Sequence, residues 1–195
     1  VDTLPIASFS NTDTICLGDT TFFTDASIGT SAPVASWSWT MNGAGSYVGG
    51  TDSTSPNPQY VYNSAGTYTV ILSVTDTNLC VHSDTNTVII RPNPIASFVS
   101  DAVCVGFETT LISTSISDTN YSTISGTINS WHWYFGDASD SCCVEDTIQH
   151  GYTLANIYSV TLIIEDTYGC SDTVIDPVVV NPGPIANFSA EPECV

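Results

Sequence analysis

Tyr68, Val70, Leu72 and Val74 alternate with Thr69, Ile71, Ser73 and Thr75. A period of two built from β-branched and aromatic residues predicts a half-buried strand. The same alternation recurs at Tyr158, Val160, Leu162 and Ile164. Trp37 and Trp39 stand two apart, as do Trp131 and Trp133, and one member of each pair is expected in the core. Further strands are predicted near 5–10, 19–24, 58–62 and 83–91, with counterparts later in the chain. Gly, Asn, Asp and Pro punctuate the gaps. No stretch carries a 3.6-residue apolar period. Several short strands per ninety residues predict an all-β, two-sheet sandwich.

The pattern repeats. Pro5-Ile6-Ala7-Ser8-Phe9 returns at Pro94–Phe98 and, as Pro-Ile-Ala-Asn-Phe, at Pro184–Phe188. Cys16, Cys104 and Cys194 follow these openings at nearly constant distance, and Tyr68–Asp76 matches Tyr158–Asp166. Cys80 matches Cys170 in the same way. Landmarks sharing one period define two full repeats, residues 1–92 and 93–182, with 183–195 expected to be the first strand of a truncated third. The joints Arg91-Pro92-Asn93-Pro94 and Asn181-Pro182-Gly183-Pro184 are short and doubly prolyl. Proline fixes φ and restrains the preceding residue, so modules stacked end to end and contacting mainly their neighbours are expected.

Composition narrows the functional classes. The 195 residues hold 20 acidic residues and one basic one, Arg91, for a net charge of −19. Such a chain repels phosphate backbones and anionic headgroups, which argues against nucleic acid and membrane-surface partners. Apolar runs such as Tyr68–Val74 are too short to cross a bilayer. Charged residues make up only 11% of the chain, so solubility rests on Ser, Thr and Asn. Seven cysteines at repeated positions suggest an oxidising compartment. Residues 1–30 lack a basic start and an apolar stretch, and Val1 stands first, so processing or excision from a longer chain is expected.

Several motifs carry a resemblance to a known family. They are Cys16-Leu17-Gly18, Cys104-Val105-Gly106, Trp133-Tyr134-Phe135-Gly136-Asp137, Asn57-Pro58-Gln59-Tyr60-Val61-Tyr62, Gly66-Thr67-Tyr68-Thr69-Val70 and Gly169-Cys170. Together they resemble tandem polycystic kidney disease (PKD) domains of secreted proteins from Bacteroidota-like bacteria. The first repeat departs at Trp39-Thr40-Met41-Asn42-Gly43, and the second lacks the Asn-Pro and has Asn156 where a Gly is expected. The resemblance implies immunoglobulin-like sandwiches of seven strands and a spacer, adhesive or protein-contact role at the cell surface.

Two disulfides are expected within repeats, Cys16–Cys80 and Cys104–Cys170, with free buried thiols as the alternative. Each would close a loop of 64 or 66 residues and stabilise by about 3–4 kcal/mol through loop-closure entropy. Cys194 is expected to pair beyond this sequence. Adjacent Cys142 and Cys143 read as a vicinal disulfide or as a covalent link to a neighbouring subunit. Zinc is not expected, because Cys-x-x-Cys spacing is missing. Asp137, Asp140, Glu145 and Asp146 crowd one loop and are weak calcium candidates, with a solvated turn preferred. Asp76 and Asp166 at strand ends read as turn caps. Asp-Ser/Thr dipeptides make Thr3, Thr14, Thr20, Ser53, Thr147 and Thr173 candidate O-glycosylation sites.

Catalytic signatures are not found. His82, His132 and His150 form no His-Glu-x-x-His, and neither a Gly-x-Ser-x-Gly elbow nor a P-loop occurs. The tryptophans lie in strands, where core packing is preferred over sugar stacking. The expected function is therefore a non-catalytic structural or adhesive module of a long extracellular surface fibre or adhesin. The alternative is a stalk or substrate-binding accessory region of a secreted hydrolase. Expected partners are neighbouring repeats, self-association into fibres, and surface glycans or proteins.

Overall fold

The computed structural model describes residues 2–12, 15–143 and 145–189, with the side chain of Cys143 left out. Two compact units divide it. The first takes in residues up to Pro94 together with 117–128 and 165–171; the second takes in 95–116, 129–164 and the chain from 172 onward.

The first repeat folds into two facing sheets. Its strands are β1 (Phe9–Asn11), β2 (Ile15–Cys16), β3 (Thr21–Asp25), β4 (Val34–Met41), β5 (Gly45–Val48), β6 (Gln59–Tyr62), β7 (Gly66–Asp76) and β8 (Val81–Arg91). One sheet runs β1-β3-β6-β5 and the other β2-β8-β7-β4. β7 and β8 form an antiparallel hairpin in register from Gly66↔Ile90 to Thr75↔Val81. The alternating face of β7 supplies the core: Val70, Leu72 and Val74 are completely buried against Phe9, Phe23, Trp39, Tyr62, Val88 and Ile90. Phe9 meets Trp39 edge-on at 5.0 Å, an arrangement that suits the ring quadrupoles.

The second repeat reuses the plan with β9 (Phe98–Ser100), β10 (Val103–Cys104), β11 (Glu108–Ser113), β12 (Ile128–Tyr134), β13 (Asp140–Cys143), β14 (Thr147–Gly151), β15 (Asn156–Asp166) and β16 (Ser171–Asn181). Its sheets run β14-β11-β9 and β10-β16-β15-β12-β13. Trp133, Leu111, Val160, Leu162 and Ile164 form the buried centre, and Phe98 meets Trp133 edge-on at 5.3 Å.

The tryptophan expectation holds, since one indole of each pair, Trp39 or Trp133, lies in the core. Residues two apart on a strand face the same way, so both members of each pair turn inward. Trp39 and Trp133 are fully buried, while Trp37 and Trp131 lie half-buried. The indole N–H of Trp37 donates to Asp25 Oδ2 at 2.7 Å, and that of Trp131 to Ser113 Oγ at 3.2 Å.

Candidate functional site

Two short local arrangements recur in both repeats and position the cysteines. β2 runs parallel to the end of β8, pairing Cys16 with Arg91, and Leu17 N–H donates to the Arg91 carbonyl at 2.8 Å. β10 places Cys104 beside Asn181 in the same way, with Val105 N–H donating to Asn181. At the opposite end of each long hairpin a buried aspartate builds the turn. Asp76 Oδ1 accepts from the N–H of Asn78 and of Cys80, both at 2.9 Å. Asp166 Oδ1 accepts from the N–H of Tyr168 at 2.8 Å and of Cys170 at 3.0 Å. Each carboxylate offsets its own burial with two charge-assisted bonds, so the turn-capping role read for Asp76 and Asp166 is what the structure displays.

This geometry corrects the cysteine pairing. The structure bonds Cys16 to Cys170, with Cα atoms 5.5 Å apart, and leaves Cys80 and Cys104 as free, half-buried thiols. The physical reason lies in strand length. Cys16 pairs beside Arg91, whereas Cys80 directly precedes Val81, the other end of β8. The eleven residue steps from Cys80 to Arg91, at about 3.3 Å each, place them roughly 36 Å apart, while a disulfide needs Cα atoms within about 7 Å. β16 separates Cys104 from Cys170 by the same construction. Cys142 is disulfide-bonded; the expected vicinal bond reaches the Cys143 side chain, which lies outside the described residues, as do Cys194 and Thr14.

Around Cys16 and Cys170 the first unit concentrates the chain's one basic side chain. The Arg91 guanidinium lies 3.4 Å from the ring centroid of Tyr168, and its Nη1 donates to the Ile124 carbonyl at 2.8 Å. Asn93 Nδ2 donates to the Leu17 carbonyl at 3.2 Å. Cation–π contact and hydrogen bonding both favour the planar guanidinium here. Sequence reading passed over this cluster, although a solitary cation just before Pro92 was a signal. Burial, together with nearby Asp76 and Asp2, pushes the Cys80 thiol up.

The histidines act as partners of carboxylates and backbone. His150 Nε2 lies 2.8 Å from Asp137 Oδ2, its ring stacked on Phe135 at 3.9 Å and edge-on to Tyr152. Burial works against the charge on Asp137, but hydrogen bonds from Ser139 and His150 outweigh it and hold the carboxyl down at about 2. His132 Nε2 lies 2.9 Å from Asp140 Oδ2 and stacks on Tyr134. His82 Nδ1 accepts from Ala7 N–H at 2.9 Å, a place taken in the second repeat by Asp172, which accepts from Ala96 N–H. Among the described residues neither His132 nor His150 is hydrogen-bonded to a serine or cysteine, the pairing that nucleophilic catalysis requires.

The calcium candidates do not converge. Asp137 serves His150 and Ser139, Asp140 serves His132, Asp146 Oδ1 accepts from Thr147, and Glu145 is exposed. Among the described residues no group of three or more His, Cys, Asp or Glu side chains is placed to hold a metal ion. Of the glycosylation candidates, Thr3, Thr147 and Thr173 are exposed, while Thr20 and Ser53 are half-buried. Among the described residues no helix is long and apolar enough to cross a membrane.

A family model described as PKD domain matches residues 2–90 and again 92–180. Among solved structures, the PKD1 domain of the Vibrio cholerae metalloprotease PrtV is 31% identical, over 46% of this chain and 98% of that one, with a TM-score of 0.38. The PKD1 domain of Vibrio anguillarum Epp is 24% identical, over 47% of this chain and 96% of that one, with a TM-score of 0.39. The fibronectin(III)-like modules of Clostridium thermocellum CbhA are 10% identical, over 94% of this chain and all of that one, with a TM-score of 0.45. No curated protein matches the chain in sequence.

Proposed function

Since the chain belongs to the PKD domain family, as two domains in tandem, we propose that it is a non-catalytic structural or adhesive segment of an extracellular bacterial surface fibre or adhesin. The observation that carries this reading is the Cys16–Cys170 disulfide, which joins residues 154 apart and belonging to different repeats. A bond of that kind persists in oxidising surroundings. It makes the array covalently continuous at a second point besides the backbone, which suits a segment under tension. Pro184-Ile185-Ala186-Asn187-Phe188 repeats the opening of the two domains. Exposed Thr3, Thr147 and Thr173 are the sites where glycans fit this surface.

Electron microscopy of the native material, released without reduction, tests the proposal. Ordered filaments with a module-scale repeat are expected. Isolated strings ending in a catalytic domain would overturn the fibre and favour a hydrolase stalk.

A further inference from the structure

Cys80 and Cys104 are not stray thiols. Cys104 occupies the place of Cys16: the two follow equivalent Pro-Ile-Ala openings, pair in parallel with the last residues of equivalent strands, and are followed by the same backbone hydrogen bond. Cys80 occupies the place of Cys170: each ends an aspartate-capped turn with the same two N–H bonds to the carboxylate. The structure bonds one β2-type cysteine to one hairpin cysteine. It leaves free one β2-type cysteine and one hairpin cysteine, both half-buried and therefore reachable.

We propose that Cys104 and Cys80 are the two open ends of a directional disulfide ladder, the β2-type thiol of one copy of this chain bonding the hairpin thiol of another. The register that aims Cys16 at a hairpin cysteine aims Cys104 at the same kind of target. Apolar side chains left bare beside both thiols await a cover: Leu79 is 83% exposed, Val81 53% and Phe107 69%. Asn181 and Asn78 stand where Arg91 and Tyr168 meet at the closed bond, so specificity at the open ends rests on backbone placement and apolar contact.

The bond forms by exchange with a small-molecule disulfide such as oxidised glutathione. One protein thiolate attacks it, giving a mixed disulfide and releasing one small thiolate. The second protein thiolate then attacks the protein sulfur and releases the other. Two protein thiols lose two electrons and one small disulfide gains them, and the two protons end on the released small thiols.

The proposal goes beyond the fibre reading and rests on it only in requiring further copies. Cys80→Ser and Cys104→Ser variants, each also carrying Cys194→Ser, are incubated in a glutathione redox buffer, separately and mixed, and run on non-reducing gels. The mixture is expected to give a capped dimer containing a Cys80–Cys104 peptide after peptic digestion at low pH. Either variant alone is expected to stay monomeric, while the chain with both thiols climbs a ladder of multimers. A monomeric mixture with the Cys16–Cys170 peptide intact would overturn the proposal. So would equal dimerisation of either variant alone, or a Cys80–Cys104 bond within one chain. None of these outcomes bears on filaments seen in native material, so the two readings fail separately.

Discussion

The two repeats share a core and differ at an edge. In the first, β5 pairs with β6 and so extends the β1-β3-β6 sheet. In the second, the corresponding β13 pairs with β12 and extends the opposite sheet. The cause is local. After Trp133 the chain reverses tightly through Gly136 and Ala138, both at positive φ, and Phe135 N–H closes the turn onto the Ser139 carbonyl. After Trp39 it runs on, with Asn42 N–H bonded to Thr69, and crosses to β6 at Gly45. A Cβ there would lie 2.3 Å from the Val61 carbonyl oxygen, so only glycine permits the approach. Ser139 stands near the corresponding place in the second repeat and cannot follow that path. Core residues thus set the sandwich, while a few turn residues decide which sheet owns the edge strand.

The same comparison, applied to cysteines of equivalent position, gives the largest expected effect. Replacing Cys16 and Cys170 together by serine should cost about 4–5 kcal/mol by loop-closure entropy, read as a lower denaturation midpoint. Replacing Cys80 and Cys104 should leave monomer stability unchanged. Next come the core indoles. Trp39 Nε1 donates to the Ser55 carbonyl at 2.9 Å, whereas Trp133 Nε1 is buried without a partner. Trp39→Phe should therefore be more destabilising than Trp133→Phe by about 1 kcal/mol, measured by urea unfolding.

The hairpin turns differ less. Leu79 holds φ at 65° where the second repeat has Gly169 at 83°. Leu79→Gly should stabilise by up to about 1 kcal/mol, relief of left-handed strain outweighing the added freedom of the unfolded chain. The smallest effect is the acid sensitivity that Asp137 lends the second repeat. Asp137 is depressed to about 2 in the folded protein, below its unfolded value near 4. Its contribution is present above about pH 4 and lost as pH falls toward 2. Asp137→Asn should flatten the fall in melting temperature across that window, and changes at Gly43, its counterpart in the first repeat, should leave the window as it is.

Much of this was legible in the sequence because it lives in period and repeat. The alternation at Tyr68–Val74 and Tyr158–Ile164 marks strands whose Val70, Leu72, Val160 and Leu162 are completely buried. Asp76 and Asp166, placed before short turns, revealed their capping role through position alone. The cysteine pairing was not legible. A spacing of 64 or 66 residues reads as a closed loop, yet it does not show that β8 and β16 hold the paired positions a full strand length apart. The edge-strand exchange was hidden for a similar reason: Gly45 and Gly136 both read as turn residues, and only their neighbours in space tell a crossing from a reversal. The Arg91–Tyr168 contact joins residues 77 apart in the sequence, beyond any local pattern.

Disulfide mapping of the oxidised chain tests the central claim most directly. Free thiols are alkylated, the protein is digested with pepsin at low pH and the linked peptides are sequenced by mass spectrometry. The account predicts a Cys16–Cys170 peptide with Cys80 and Cys104 alkylated in the monomer. Peptides joining Cys16 to Cys80 and Cys104 to Cys170 would contradict it.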